Sequence, residues 1–454
     1  MGHGYSRRDF LELSAITASA ALAGNTIFLD PDPLYAMPQA SAPSERVRFG
    51  IVGVGMQGSG LLRNAIQLPG VECVAACDLY DGRHELAQET VNSTTLPVTR
   101  RYRNLLDNKE IDAIIAAVPD HWHKQIVVDS VNAGKDIYCE KPMSHTVEDG
   151  ISIVEAAQKH NRMIAVGSQR VSSILYAKAK EIYDSGKLGE VFCINAYWDR
   201  NSPSGAWVYP IPPNASDKTI DWNAFLGEAP KRSFDPVRFF RWRCFTDYGE
   251  GLGGDLFVHL LSGIHFITGT NVPASRAVSA GGLFYFKDGR EFPDLIETMY
   301  DYPDFRVTVR CNLNNAGGEF IAFYGSKGTM IIKDSTLSYK PEDTTPRPED
   351  YSVFGWPKEL RDQYYKDWEK EHPPTAALES KIKDEGETYT VPQGYSDTVD
   401  HQTNFFNAVR TRKPVVENEI FGNNTSIGCH LANYAYFNKC VAVWDPSAKK
   451  IVKG

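Results

Sequence analysis

The feature that most restricts this 454-residue chain is a glycine spacing in a particular place. Gly53-Val54-Gly55-Met56-Gln57-Gly58 follows directly on the apolar run Val47 to Val52 and leads into a helical pattern, Ser59 to Gln67. A strand that turns this way into a helix presents the helix's free N–H groups to a pyrophosphate, the geometry of a dinucleotide-binding βα unit. Gly53 permits the tight turn, Gly55 lets phosphates approach the backbone, and Gly58 lets the helix lie close on the strand. Met56 and Gln57, between them, are expected cofactor contacts. Asp78 ends the next apolar run, twenty residues after Gly58. A carboxylate there can accept both adenosine ribose hydroxyls and would repel a 2′-phosphate, so the expected cofactor is NAD rather than NADP.

Around this motif short apolar runs alternate with amphipathic stretches, as a doubly wound parallel α/β sheet requires. The runs are Val47 to Val52, Val71 to Cys77, Asp112 to Val118, Asp136 to Cys139 and Met163 to Val166. Helices are expected at Gly82 to Val91, His121 to Ala133 and Thr146 to His160, giving a Rossmann domain over 46–168. Beyond Gly167 the pattern changes to one helix, Ser172 to Ser185, and then strand-like runs: Val191 to Trp198, Leu283 to Phe286, Arg306 to Asn312 and Glu319 to Tyr324. Gly325-Ser326-Lys327-Gly328 reads as a hairpin turn into Thr329 to Lys333. Residues 169–454 therefore predict an α+β domain with an open, mostly antiparallel sheet. Within it 340–394 is charged and proline-rich, a surface insertion with a helix at Lys358 to Lys370, and helices follow at Ser396 to Val409 and Ile420 to Phe437.

Composition removes other classes. With 48 Lys and Arg against 57 Asp and Glu, the net charge of −9 gives no electrostatic reason to bind nucleic acid or anionic lipid. The eight cysteines lie singly in apolar stretches without zinc-site spacing, and no third ligand accompanies His121 and His123 or His259 and His265, so no metal is expected. The N-terminus is a separate matter. Ser6-Arg7-Arg8-Asp9-Phe10-Leu11 precedes an uncharged stretch, Leu13 to Ala23, far short of the ~20 apolar residues a bilayer span needs. It resembles a twin-arginine export signal, with cleavage after Ala23 or Ala36, which makes 1–36 a leader and linker and the expected location periplasmic. That route carries folded proteins, so a cofactor scarce outside the cytoplasm would be loaded before export.

Glu140-Lys141-Pro142 stands at the carboxyl end of the fifth apolar run, the edge where open α/β sheets bind ligands. Proline restricts the residue before it, so Lys141 is held where its ammonium can bond a substrate hydroxyl and stabilise alkoxide charge. Farther on, Gly253-Gly254-Asp255-Leu256-Phe257-Val258-His259 puts Asp255 and His259 four apart, on one face of a helix. An imidazole is suited to remove the hydroxyl proton while the carboxylate orients substrate or ring.

Glu-Lys-Pro at this distance from the glycine motif, preceded by Pro119-Asp120-His121-Trp122-His123 and Ala133-Gly134-Lys135, resembles the Gfo/Idh/MocA family of oxidoreductases. The resemblance implies oxidation of a ring hydroxyl on a sugar or cyclitol, with Lys141 as catalytic lysine. It places Pro119, His123 and Glu140 beside the cofactor, although Val118 replaces a threonine often found there, and Ser262 stands where the family often has an aspartate. It also implies that the second domain serves substrate and oligomer contacts, a dimer or tetramer covering its exposed sheet.

An aromatic-dense stretch precedes the glycine pair, including Trp198, Trp207, Tyr209, Trp242 and Tyr248. Aromatic faces stack on pyranose rings and Arg binds hydroxyls, so Tyr248, Trp242, Arg243 and, more remotely, Arg170 are the substrate candidates. The leading expectation is an exported NAD-dependent dehydrogenase of a sugar, glycoside or cyclitol. A second is a redox-neutral glycosidase that oxidises, eliminates and reduces; relatives of that type tend to lack the lysine that Lys141 supplies. A third, a sugar sensor without turnover, is disfavoured by intact Lys141, Asp255 and His259.

Overall fold

In the first sheet the strands run β1 (Val47–Val52), β2 (Val71–Cys77), β3 (Val98–Thr99), β4 (Ala113–Ala116), β5 (Asp136–Cys139) and β6 (Ile164–Val166), in the spatial order β3-β2-β1-β4-β5-β6. All neighbours are parallel. Strands β4 and β5 are buried along their whole length, because helices cover both faces and leave no polar side to alternate with. The order reverses between β1 and β4, and such a switch point opens a crevice at the carboxyl ends of the strands. This computed structural model describes residues 46–343, 346–373 and 386–454; the expected export signal lies outside them.

The second sheet has ten strands: β7 (Val191–Asp199), β8 (Arg276–Gly282), β9 (Leu295–Asp301), β10 (Arg306–Asn312), β11 (Gly318–Gly325), β12 (Gly328–Lys333), β13 (Thr336–Pro341), β14 (Glu387–Thr390), β15 (Ala442–Asp445) and β16 (Lys450–Lys453). Their order is β14-β13-β12-β11-β7-β10-β9-β8-β15-β16, and among the described residues only β7 and β10 of this sheet pair in parallel. Ser326 and Lys327 form the turn between β11 and β12, as the glycines flanking them predicted. The helices Ile174–Asp184, Phe257–Thr268 and Glu419–Asn438 lie over one face. Across the other face Val278, Met299, Thr308, Asn195, Ala322 and Ile331 stand in one cross-strand row, with Met299 60% exposed.

Two sequence expectations are corrected here. Leu283 to Phe286 is not a strand: the amides of Phe284, Tyr285 and Phe286 all donate to the Asp294 carboxylate, so they have no free N–H for a ladder. The strand in this region is β8. The 340–394 stretch is not wholly a surface excursion either, since β14 pairs with β13 at the sheet edge.

The helix Asp397–Thr411 returns to the first domain. Phe405 and Phe406 enter its core against Tyr138 and Phe49, at ring separations of 5.8 and 5.6 Å. Gln402 donates to the Leu61 carbonyl at 3.0 Å, and Arg412 pairs with the Asp136 carboxylate. Among the described residues no helix is long and apolar enough to cross a membrane.

Candidate active site

The carboxyl ends of β1, β2, β4 and β5 surround a cavity of about 760 Å³, lined by Gly53, Gly55, Met56, Gln57, Asp78, Pro119, Glu140 and Lys141 among others. Gly53 has φ +89°, and a Cβ there would lie 2.2 Å from the Ala117 carbonyl oxygen; a Cβ on Gly58 would lie 1.9 Å from the Gly53 oxygen. No side chain is admissible at either place, so the backbone itself forms the floor. The helix Met56–Ala65 starts at this floor with Gly55 as its N-cap, and its free N–H groups suit an anion. Asp78 accepts from the amides of Val54 at 2.7 Å and Tyr80 at 3.0 Å, tying the glycine turn to the end of β2. Size, bare backbone and helix terminus together fit a dinucleotide.

Glu140 lines the same cavity. One of its oxygens accepts from both Gln57 and Gln169 at 2.8 Å, and burial raises its pKa against the lowering charge of Lys141.

A second cavity, of about 450 Å³, opens beside the first and shares Met56, Gln57, Lys141, Tyr209 and Arg243 with it. Its centre is Asp255. Oδ1 accepts from Lys141 Nζ and from Arg243 Nε, each at 2.9 Å, and Oδ2 from Trp207 Nε1 at 3.3 Å and Arg200 Nη2 at 3.4 Å. Lys141 also donates to the Asp255 backbone carbonyl at 2.8 Å. Burial opposes ionisation of Asp255, but the charges of Lys141, Arg243 and Arg200 outweigh it and hold the carboxyl well below the usual range.

His259 lines the same cavity, and its Nδ1 is buried without a hydrogen-bond partner. Burial, joined by the charges of Lys141 and Arg170, pushes its pKa well below the ordinary imidazole value, so the ring is neutral near pH 7. Asp255 and His259 do not share a helix face as their spacing suggested. The helix Gly251–Asp255 stops at Leu256 (φ −110°) and a new one, Phe257–Thr268, begins. The two side chains meet in the cavity from consecutive helices.

Several expected contacts lie elsewhere. Tyr248 is fully buried among His121 and Phe225 and reaches neither cavity. His123 is also fully buried, its ring wedged between the carbonyls of Pro142 at 2.7 Å and Val118 at 3.0 Å, where it braces the Lys141 loop from behind. Arg170 is drawn away by Glu319 at 2.6 Å, with its guanidinium over Trp198. Trp242 lines the larger cavity, and Arg243 stacks on it at 4.2 Å while lining both. The sequence reading missed Arg200, which stands one residue beyond β7, and the hydroxyls of Ser202 and Ser204 beside it. The end of a strand is a recurrent place for binding residues, and that was the available signal.

Residues 47–168 match the model of the oxidoreductase family GFO_IDH_MocA, described by its NAD-binding Rossmann fold. Inositol 2-dehydrogenase of Salmonella typhimurium is 34% identical over 153 residues, 33% of this chain and 45% of that one. An α-N-acetylgalactosaminidase of Shewanella oneidensis is 30% identical over 173 residues, 35% of this chain and 38% of that one. The chain thus spans less than half the length of these curated relatives. Similarity of fold extends farther: a levoglucosan dehydrogenase solved with NADH and levoglucosan superposes with TM-score 0.64 over 87% of this chain and 98% of its own, at 14% identity.

Proposed function

We propose that the protein is an NAD-dependent oxidoreductase that interconverts a ring hydroxyl and a ketone on a sugar, glycoside or cyclitol. The observation that carries this reading is the sharing of Lys141 between a dinucleotide-sized cavity and a smaller one that also holds Asp255 and His259. A substrate hydroxyl in the smaller cavity meets the ammonium of Lys141, which donates to the oxygen and stabilises alkoxide as it develops. Asp255 fixes that ammonium in place through its carboxylate and its carbonyl. Neutral His259 takes the hydroxyl proton, and returns it to the oxygen when a ketone is reduced. When bound, NAD supplies the acceptor for the hydride that leaves the same carbon. The glycine turn, the Met56 helix terminus and Asp78 would hold the dinucleotide, with Glu140 and Pro119 beside it.

The similarity to an α-N-acetylgalactosaminidase favours a second reading, the redox-neutral glycosidase. One experiment separates the two. Leader-free protein loaded with NAD is mixed with glycosides, hexoses and inositols while nicotinamide absorbance and free aglycone are followed, with Lys141→Met as control. Reduction that depends on Lys141 supports the dehydrogenase; aglycone release without net NADH selects the glycosidase.

The reading includes export by the twin-arginine machinery and a periplasmic location, for which Arg7-Arg8 and the stretch after them are the support. Changing both arginines to lysine should keep the protein in the cytoplasm. It also includes a homo-oligomer, supported by the exposed apolar side chains of Val278, Met299 and Ile331 on the sheet face that no described helix covers. Sedimentation equilibrium of wild type and Met299→Lys tests it, the variant being expected as a smaller species.

A further inference from the structure

The charges lining the smaller cavity do not balance. Among the described residues, Lys141, Arg200 and Arg243 face it, against the single carboxylate of Asp255. That carboxylate is already bonded to all three cations and to Trp207. Behind the wall Arg170 is paired with Glu319 at 2.6 Å, Arg310 with Asp199 at 2.8 Å and Glu250 with His430 at 3.1 Å, while burial pushes the carboxyl of Asp120, which faces Arg243 and Lys141, well above the usual carboxylate range and so toward its neutral form. His259 contributes no charge. Glu140, counted as an anion, would remove only one of the two excess positive charges, and it borders the larger cavity instead. Cations held partly out of water, as Lys141, Arg200 and Arg243 are, attract an anion more strongly than fully exposed ones, because they are screened less.

The three cations are not equivalent. Lys141 and Arg243 border both cavities and so stand at the reacting end. Arg200 borders only the smaller one, beside Ser202 and Ser204. Its guanidinium lies over the Trp198 ring at 5.4 Å and its contact with Asp255 at 3.4 Å is the longest of the four; Nε is buried, and the side chain is 26% exposed, which leaves the outer Nη edge to meet a ligand. A planar guanidinium held against an aromatic face with donors to spare is matched to a carboxylate, which it can grip with two parallel hydrogen bonds.

We propose that the substrate is an acidic carbohydrate, a uronic acid or uronate-bearing glycoside, whose carboxylate seats on Arg200 with Ser202 and Ser204 while a ring hydroxyl faces Lys141 and His259. The proposal rests on the oxidoreductase reading for its reacting end and names the substrate class within it. Arg200 is then the residue that sets specificity.

The test uses the full NAD-loaded protein and four probes of one ring: glucuronate, its methyl ester, glucose and glucose 6-sulfate, with the galacto series alongside. Turnover is followed by nicotinamide absorbance, and binding to the NADH-loaded protein by calorimetry. A uronate preferred at least 100-fold over its ester and over the neutral hexose is the expected result. Arg200→Gln should collapse that ratio, chiefly through KM, and Arg200→Lys should restore part of it, which a merely misfolded variant would not do. Equal use of glucose and glucuronate overturns the proposal, as does a preference for the sulfate. Uronates bound through Arg200 but never oxidised would leave the anion site standing and refute the oxidoreductase reading. Neutral sugars oxidised while uronates neither bind nor react would do the reverse.

Discussion

Lys141 Nζ lies 2.9 Å from Asp255 Oδ1 and 2.8 Å from the carbonyl oxygen of the same residue. One residue of the second domain therefore holds, by side chain and backbone together, the ammonium at the rim of the first domain's sheet. Lys141→Met should lower kcat by about 10²–10³-fold, the usual loss when one donor to a developing oxyanion is removed. NADH binding, followed by fluorescence, should stay within a few-fold, because the glycine turn that would carry the dinucleotide is untouched.

Asp255→Asn presents the opposite case. It leaves Lys141, Arg200 and Arg243 crowded around an amide, two of them formerly 2.9 Å from a carboxylate oxygen. Removing one partner from a buried ionic cluster costs about 3–5 kcal/mol. The urea midpoint should fall accordingly, and activity should be lost even where the fold persists.

The proposed preference for NAD over NADP rests on a single carboxylate among several cations. Arg83 lies 3.5 Å from both Asp78 oxygens, and Arg100 and Arg101 line the same cavity. Asp78→Ser keeps an acceptor for the Val54 amide but removes the charge that repels a 2′-phosphate. The ratio of kcat/KM with NADP to that with NAD should rise by about tenfold or more, a difference of ~1.4 kcal/mol.

His401 gives a pH signature separate from catalysis. Its Nε2 donates to the Val166 carbonyl at 2.8 Å while Nδ1 accepts from Ser172 Oγ at 2.7 Å, and burial lowers its pKa to about 4. The unfolded chain takes up a proton near pH 6.5 that the native state refuses. Stability from this group is therefore complete above pH 6.5 and is lost, at up to ~1.4 kcal/mol per pH unit, as pH falls toward 4. His401→Gln should be less stable at pH 7 yet show a shallower decline between pH 6.5 and 4.5, measured by urea midpoints.

Much of the first domain was legible because its strands are buried on both faces and read as unbroken apolar runs. Val47–Val52, Val71–Cys77 and Asp136–Cys139 end where their sequence patterns end. Val98–Thr99 is two residues long and carries no pattern to read. Lys141, Asp255 and His259 could be nominated from local motifs, and the structure brings all three to one cavity. Tyr248 and His123 could not be assigned correctly, since nothing local says whether an aromatic or a histidine points to a cleft or a core. Arg200 enters the site only through the position of β7 between β10 and β11, which is a property of strand order rather than of neighbouring residues.

The return of the helix Asp397–Thr411 to the first domain bears on when that domain can be finished during synthesis. His401 binds a carbonyl 235 residues earlier in the chain, and Phe405 and Phe406 cover Tyr138 and Phe49. A nascent chain that has emerged only as far as the second sheet still exposes this apolar ground and has a nucleotide cleft whose supporting strands are incompletely packed. The core of the dinucleotide domain, although first in sequence, is therefore completed only by a segment that the ribosome makes after β7 to β14.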